Sequence, residues 1–206
     1  MNITLQNIGR RFNREWIFRR IDYTFESAGN YAILGANGSG KSTLLQVLNG
    51  SLVPSEGTIN YVDGDKEVDA GEVFSYLSLA APYLEVIEEF SLNEMIDFHF
   101  KFKQFRAGMD KSAVADILNL EGSRNKLIKY FSSGMKQRLK LALAFCADTP
   151  MLMLDEPTSN LDTQGIDWYL GLVEKFSENR LTIVCSNQEH EYSFCKNRLS
   201  ISDYKS

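Results

Sequence analysis

Gly35-Ala36-Asn37-Gly38-Ser39-Gly40-Lys41-Ser42 is the stretch that decides the fold. It reads G-x-x-x-x-G-K-S, a loop whose backbone N–H groups wrap phosphate. Just before it, Tyr31-Ala32-Ile33-Leu34 is a short apolar strand; just after it, Thr43-Leu44-Leu45-Gln46-Val47-Leu48 continues as a helix until Gly50. Strand, loop and helix together are the context this motif requires. Gly35, Gly38 and Gly40 let the backbone curl around one anion. The helix that follows adds free N–H groups and the positive end of its dipole. Asn37, Ser39 and Thr43 belong to the same phosphate-contacting run. Lys41 places a full positive charge near the β- and γ-phosphates, and the Ser42 hydroxyl suits Mg²⁺, which prefers oxygen ligands. The plain alternative is a glycine-rich turn that happens to precede a lysine, and it leaves the flanking strand and helix unexplained.

A second anchor is Met151-Leu152-Met153-Leu154-Asp155-Glu156, an apolar strand that ends in two carboxylates. With a phosphate loop upstream, Asp155 is placed to help hold Mg²⁺ and Glu156 to polarise an attacking water. A third is Phe131-Ser132-Ser133-Gly134-Met135-Lys136-Gln137-Arg138, a small-residue turn opening a helix. Its hydroxyls and N–H groups could receive another anion, although the same chemistry serves any ordinary helix start.

The remaining chain reads as α/β. Residues 1–30 alternate as antiparallel strands, and 58–69 form a hairpin around Asp63-Gly64. From about 82 the pattern turns helical. Ser91 with Glu94 is a capping box, so a helix starts there, with Phe98, Phe102 and Phe105 on one face; Phe98, Phe100 and Phe102 also alternate as a strand would, but the capping box and the good helix formers favour the helix. Further helices are predicted over about 111–120, 134–148 and 163–177, and a buried strand over 181–185.

Phosphate loop, helical insertion, Ser-rich helix start, Asp-Glu-Pro strand and then Ser159-Asn160-Leu161-Asp162 follow one another in this order. In that order and spacing the chain resembles the ATP-binding-cassette (ABC) ATPases along essentially its whole length. The resemblance implies a P-loop NTPase core of residues 1–80 and 148–206 with an N-terminal antiparallel β subdomain. About 82–147 would form an inserted α-helical subdomain carrying the signature segment, all within one cassette. It implies ATP and Mg²⁺ as ligands and a head-to-tail dimer, most simply of two copies. Ser132 and the Gly134 N–H of one copy would contact the γ-phosphate held by the other. Phe12 matches the aromatic residue on which adenine stacks, and Ser159–Asp162 the loop by which the two subunits sense each other.

The signature departs from Leu-Ser-Gly-Gly-Gln: Ser133 replaces the first Gly and Met135 the Gln, a variant similar to some bacterial exporter ATPases. The glutamine expected near the end of a strand over 74–77 is missing, with Leu79 about where it would stand and the acids Glu85 and Glu88 nearby. Asn187 occupies the place of the histidine expected after 181–185. Its amide can donate a hydrogen bond but cannot carry an imidazolium charge, so the resemblance implies slow hydrolysis.

The 206 residues suit one compact domain. A net charge of −5 with mixed signs offers no broad basic face, so no nucleic acid is expected. Cys146, Cys185 and Cys195 fit no metal spacing and read as reduced, packed thiols. No apolar run approaches a membrane span. The expected role is the cytoplasmic ATPase subunit of an ABC transporter, held at the inner face of the membrane by a permease subunit on a separate chain. Two alternatives stay open: a nucleotide-binding regulator with little turnover, and a soluble ABC-type ATPase unconnected with transport.

Overall fold

The computed structural model describes residues 1–205. In chain order the elements begin with β1 (Asn2–Phe12), β2 (Glu15–Phe25), β3 (Asn30–Leu34), α1 (Lys41–Leu48), β4 (Glu56–Asp63), β5 (Lys66–Val68) and β6 (Leu77–Ala80). There follow α2 (Leu92–His99), α3 (Lys111–Ile117), α4 (Ser133–Cys146), β7 (Met151–Asp155), α5 (Thr163–Phe176), β8 (Leu181–Cys185), α6 (Glu189–Tyr192) and β9 (Asn197–Ser200).

Two sheets result. One is antiparallel with the order β2-β1-β4-β5; the other is parallel with the order β6-β7-β8-β3-β9. Residue type explains the division. The alternating first strands bury one face, with Ile3, Leu5, Phe18, Ile21 and Phe25 inside. β7 and β8 are buried at all five positions each, as expected of central parallel strands covered on both faces. One hydrophobic cluster joins the antiparallel sheet to α1 and the near face of the parallel sheet. A second fills the far face beneath α4 and α5. A third is formed largely by α2, α3 and α4 and the segments between them. The phosphate loop, Asp155 and Ser186-Asn187 leave the carboxyl ends of β3, β7 and β8, the edge where open parallel sheets bind ligands.

Local signals set several boundaries. Ser91 caps α2 with the reciprocal Glu94 bonds of a capping box, and the Asp110 carboxylate accepts the Ala113 N–H at 2.8 Å to open α3. Three expectations are corrected. α2 ends at His99, and the chain beyond it pairs with the segment after α4: the Arg106 N–H donates to the Cys146 carbonyl and the Asp148 N–H to the Gln104 carbonyl, both at 2.9 Å. The stretch 73–76 is a 3₁₀ turn, and the strand is 77–80. α3 stops at Ile117, short of Leu120.

All three cysteines are buried free thiols, and burial pushes Cys146 and Cys195 up to about 12. Among the described residues no helix is long and apolar enough to cross a membrane.

Candidate functional site

Asn37, Gly38, Gly40, Lys41, Ser42 and Thr43 line an open cleft of about 340 Å³, joined by Glu156 from the end of β7 and Ile17 from β2. Gly40 is required twice over. Its φ is +105°, and a Cβ there would stand 2.4 Å from Ile17 Cγ2. The Lys41 ammonium is buried and donates to the Gly35 and Ala36 carbonyls at 2.8 and 3.2 Å, which holds it over the loop. Ser39 is buried at the base of the loop, its N–H on the Ala36 carbonyl.

Asp155 is 2% exposed, and neither of its carboxylate oxygens has a hydrogen-bond partner among the described residues. Burial raises its pKa most; the Ser42 hydroxyl, near the carboxylate but outside hydrogen-bond geometry, and Lys41 oppose the rise, while the Glu156 and Glu191 charges add to it. A buried carboxylate left without donors is costly unless a cation meets it. Ser42 and Asp155 are therefore the residues that could hold Mg²⁺, an ion bound by one or two protein oxygens with waters and phosphates completing its shell. Among the described residues no group of three or more His, Cys, Asp or Glu could hold a metal.

Glu156 has a left-handed backbone, φ 41°, and its N–H donates to the Cys185 carbonyl at 2.9 Å. This fixes the first turn after β7 against β8 and points the chain back over the loop. Asn187, just beyond β8, donates from Nδ2 to Asn37 Oδ1 at 3.0 Å. The residue standing where a histidine was expected thus reaches the phosphate loop. Leu79 lies within β6 opposite Met153 and packs against the core. The loop after β6 instead carries Tyr83, 44% exposed overall, whose phenol is pushed up to about 12 by desolvation first and then by the Asp155 charge. Lys140 of α4 pins that loop by donating to the Ala81 and Pro82 carbonyls at 3.0 and 3.2 Å, and Lys136 pairs with Glu88.

Ser132 caps α4, its Oγ accepting the Met135 N–H at 3.2 Å. With Gly134 it lines a different cleft, together with Arg138 and Asn160–Asp162, and this cleft shares no lining residue with the phosphate loop's. Gly134 is close to the Asn160 carbonyl, 2.9 Å from where a Cβ would sit. Phe12 is 47% exposed at the tip of β1, with the Arg10 guanidinium 4.7 Å from its ring centre. It does not line the loop cleft; the nearby hairpin residue that does is Ile17.

Sequence reading missed Ile17, Tyr83 and Glu191. Ile17 is one apolar strand residue among many. Tyr83 follows a proline in an irregular loop that carries no periodic signal. Glu191 sits in Glu189-His190-Glu191, which reads as a solvated acidic turn, yet it is completely buried.

The ABC transporter family profile matches residues 18–159. An uncharacterized ABC transporter ATP-binding protein of Bacillus subtilis, YybJ, is 28% identical over 92% of this chain and 86% of its own length. The cytochrome c biogenesis ATP-binding export protein CcmA of Rhizobium etli is 31% identical over 84% of this chain and 82% of its own. Among solved structures, the dimeric form of MJ0796, a bacterial ABC transporter cassette, matches with a TM-score of 0.81 at 20% identity, over 96% of this chain and 93% of that one. With the phosphate loop, the Asp155-Glu156 strand end and the capped Ser132-Gly134 helix in place, the chain belongs to the ABC transporter family.

Proposed function

We propose that this chain binds and hydrolyses MgATP as one half of a head-to-tail dimer and so powers a membrane permease on a separate chain. The observation that carries the reading is Asp155: a buried carboxylate with two unpartnered oxygens, beside the Ser42 hydroxyl and the Lys41 ammonium. In this reading the N–H groups of Gly35–Thr43 and Lys41 hold the β- and γ-phosphates, with Asn37 and Ser39 in the same run. Ser42 and Asp155 hold Mg²⁺, which supplies charge neutralisation at the phosphates. Glu156 orients and deprotonates the attacking water. Asn187 donates a hydrogen bond to the γ-phosphate, and Phe12 stacks on adenine.

Ser132 and the Gly134 N–H face the ATP of a second copy. Their position in a cleft separate from the phosphate loop supports this, since within one chain they do not meet the nucleotide that the loop would hold. Excluding water as the dimer closes strengthens each charge interaction around the γ-phosphate. Residues 82–147 act as the inserted helical subdomain of the cassette, and the chain works at the inner face of the membrane through its permease. The names of YybJ and CcmA, ATP-binding proteins of transport and export systems, favour this role over a soluble one. Asn187 in place of a cationic imidazole favours slow turnover, and a regulator with little hydrolysis is the second reading.

The test has two arms. Steady-state ATPase rates of the chain against Glu156→Gln should show turnover that the variant lacks. Affinity capture of Glu156→Gln with ATP from detergent-solubilised membranes should bring down a multi-span protein. Equal rates for the two forms would refute the enzyme reading; capture of soluble proteins or ribosomes alone would refute the transport reading.

A further inference from the structure

Glu191 is fully buried in α6 and forms no ion pair among the described residues. A carboxylate in that position is tolerated only when hydrogen bonds satisfy it. Here three donors converge. Oε1 accepts the Thr158 N–H at 2.7 Å and also the Thr158 hydroxyl, and Oε2 accepts the Ser186 hydroxyl. The Glu191 carbonyl accepts the Tyr169 hydroxyl at 2.7 Å, which fixes the short helix on α5.

The two segments joined in this way are both next to the chemistry. Ser186 accepts the Gln188 N–H at 2.8 Å, and between them Asn187 reaches Asn37 in the phosphate loop. Thr158 follows Glu156 and Pro157 and leads into Ser159–Asp162, of which Asn160, Leu161 and Asp162 line the cleft of Ser132 and Gly134. The Pro157 carbonyl accepts Gln137 Nε2 from α4 at 2.8 Å. Hydrogen bonds, joined by the backbone steps Ser186-Asn187 and Pro157-Thr158, thus run from the phosphate loop through Ser186 and Glu191 to the loop after β7 and the helix opened by Ser132.

We propose that Glu191 is a positioning residue that makes the Asn187 segment and the Glu156–Asp162 loop respond to nucleotide as one piece. Phosphate contact at Asn187 then sets both the aim of Glu156 and the face offered to the second copy. The proposal rests on the MgATP reading above. Glu191 lines neither cleft, so the loss of its link acts on turnover and dimer closure; because its charge also acts on Asp155, Ser186→Ala, which keeps that charge, is the variant that decides about affinity.

The test compares Glu191→Gln, which keeps size and one acceptor, with Ser186→Ala, which cuts the same link from the other end. Four quantities are measured on the full chain: affinity for a fluorescent ATP analogue with Mg²⁺, turnover, ATP-driven dimerisation in a Glu156→Gln background, and the urea midpoint. Affinity should stay within about twofold in Ser186→Ala, while turnover and the dimerisation constant each fall about tenfold in both variants, a usual size for coupling between sites. Combined with Asn187→Ala, Glu191→Gln should cost less than the product of the two single effects. Unchanged turnover and dimerisation in both variants would overturn the proposal. So would losses that follow affinity in Ser186→Ala or folded fraction in either variant, or effects that multiply fully with Asn187→Ala. If the unsubstituted chain fails to bind MgATP, the underlying reading falls instead. If it binds without turning over, dimerisation alone decides.

Discussion

Replacing Glu156 by glycine should leave a more stable protein than replacing it by alanine. Glu156 has φ 41°, in the left-handed region, immediately before Pro157. A residue with a Cβ costs about 1–2 kcal/mol there. Glycine adopts that region freely but gives up about 0.5–1 kcal/mol through its larger unfolded-state entropy. Both substitutions remove the same carboxylate beside Asp155, so the repulsion they relieve cancels in the comparison. Alanine keeps the strain and glycine releases it. The difference should be roughly 0.5–1 kcal/mol in favour of glycine, a rise in Tm of about 1–4 °C for a chain this long. At Glu174, an exposed position inside α5, the order should reverse, with glycine about 1 kcal/mol below alanine. Urea unfolding of the four variants without nucleotide measures both differences. Glycine at 156 falling below alanine would refute the claim that backbone strain is stored at this position. Neither 156 variant should hydrolyse ATP, so strain would be confined to a residue the site needs.

Acidification should weaken the fold through His99: burial, with the Lys103 charge adding, lowers its pKa to about 4, and Nε2 has no partner. The unfolded chain takes up the proton first, near 6.5, so this contribution is intact above that pH and is lost as pH falls toward 4. Between pH 7.5 and 5 the loss should be about 2 kcal/mol; urea midpoints of His99→Phe should show most of that pH dependence gone, and an unchanged slope would exclude His99 as its source. Gly40→Ala should abolish binding of a fluorescent ATP analogue, through both the Ile17 clash and the positive φ. Adding Ile17→Ala should restore binding only in part, and full affinity in the single variant would contradict the cleft geometry. Asn187→His should raise turnover several-fold, because an imidazolium at the Asn37 contact would meet the γ-phosphate with charge as well as a hydrogen bond. An equal or lower rate would count against placing Asn187 at that phosphate.

What could be read from the sequence was local. The phosphate loop needs glycines at fixed offsets between a strand and a helix, the capping box needs Ser91 and Glu94 three apart, and β7 and β8 are short, mostly apolar runs. Each of these is a relation among neighbours, and the structure keeps all of them. The end of α2 goes with the pairing of Gln104 and Arg106 to Asp148 and Cys146, far along the chain, which periodicity does not encode. The loop after β6 is held by Lys140, some 58 residues away along the chain, so no pattern near Pro82 announces its path.

The two buried acids show where that boundary falls. Asp155 ends an apolar strand, a pattern that marks it as a metal ligand; Glu191, between His190 and Tyr192, carries no such pattern. In the fold both are buried, and what separates them is the supply of donors. Glu191 receives an N–H and two hydroxyls, brought together from Thr158 and Ser186, so its charge is satisfied from within and serves to hold. Asp155 has neither oxygen hydrogen-bonded, so its charge is left for a cation that arrives with the nucleotide. A strand end with an acid can therefore be found by pattern, but whether a buried acid holds the fold or receives a ligand is decided by donors that only the folded chain assembles.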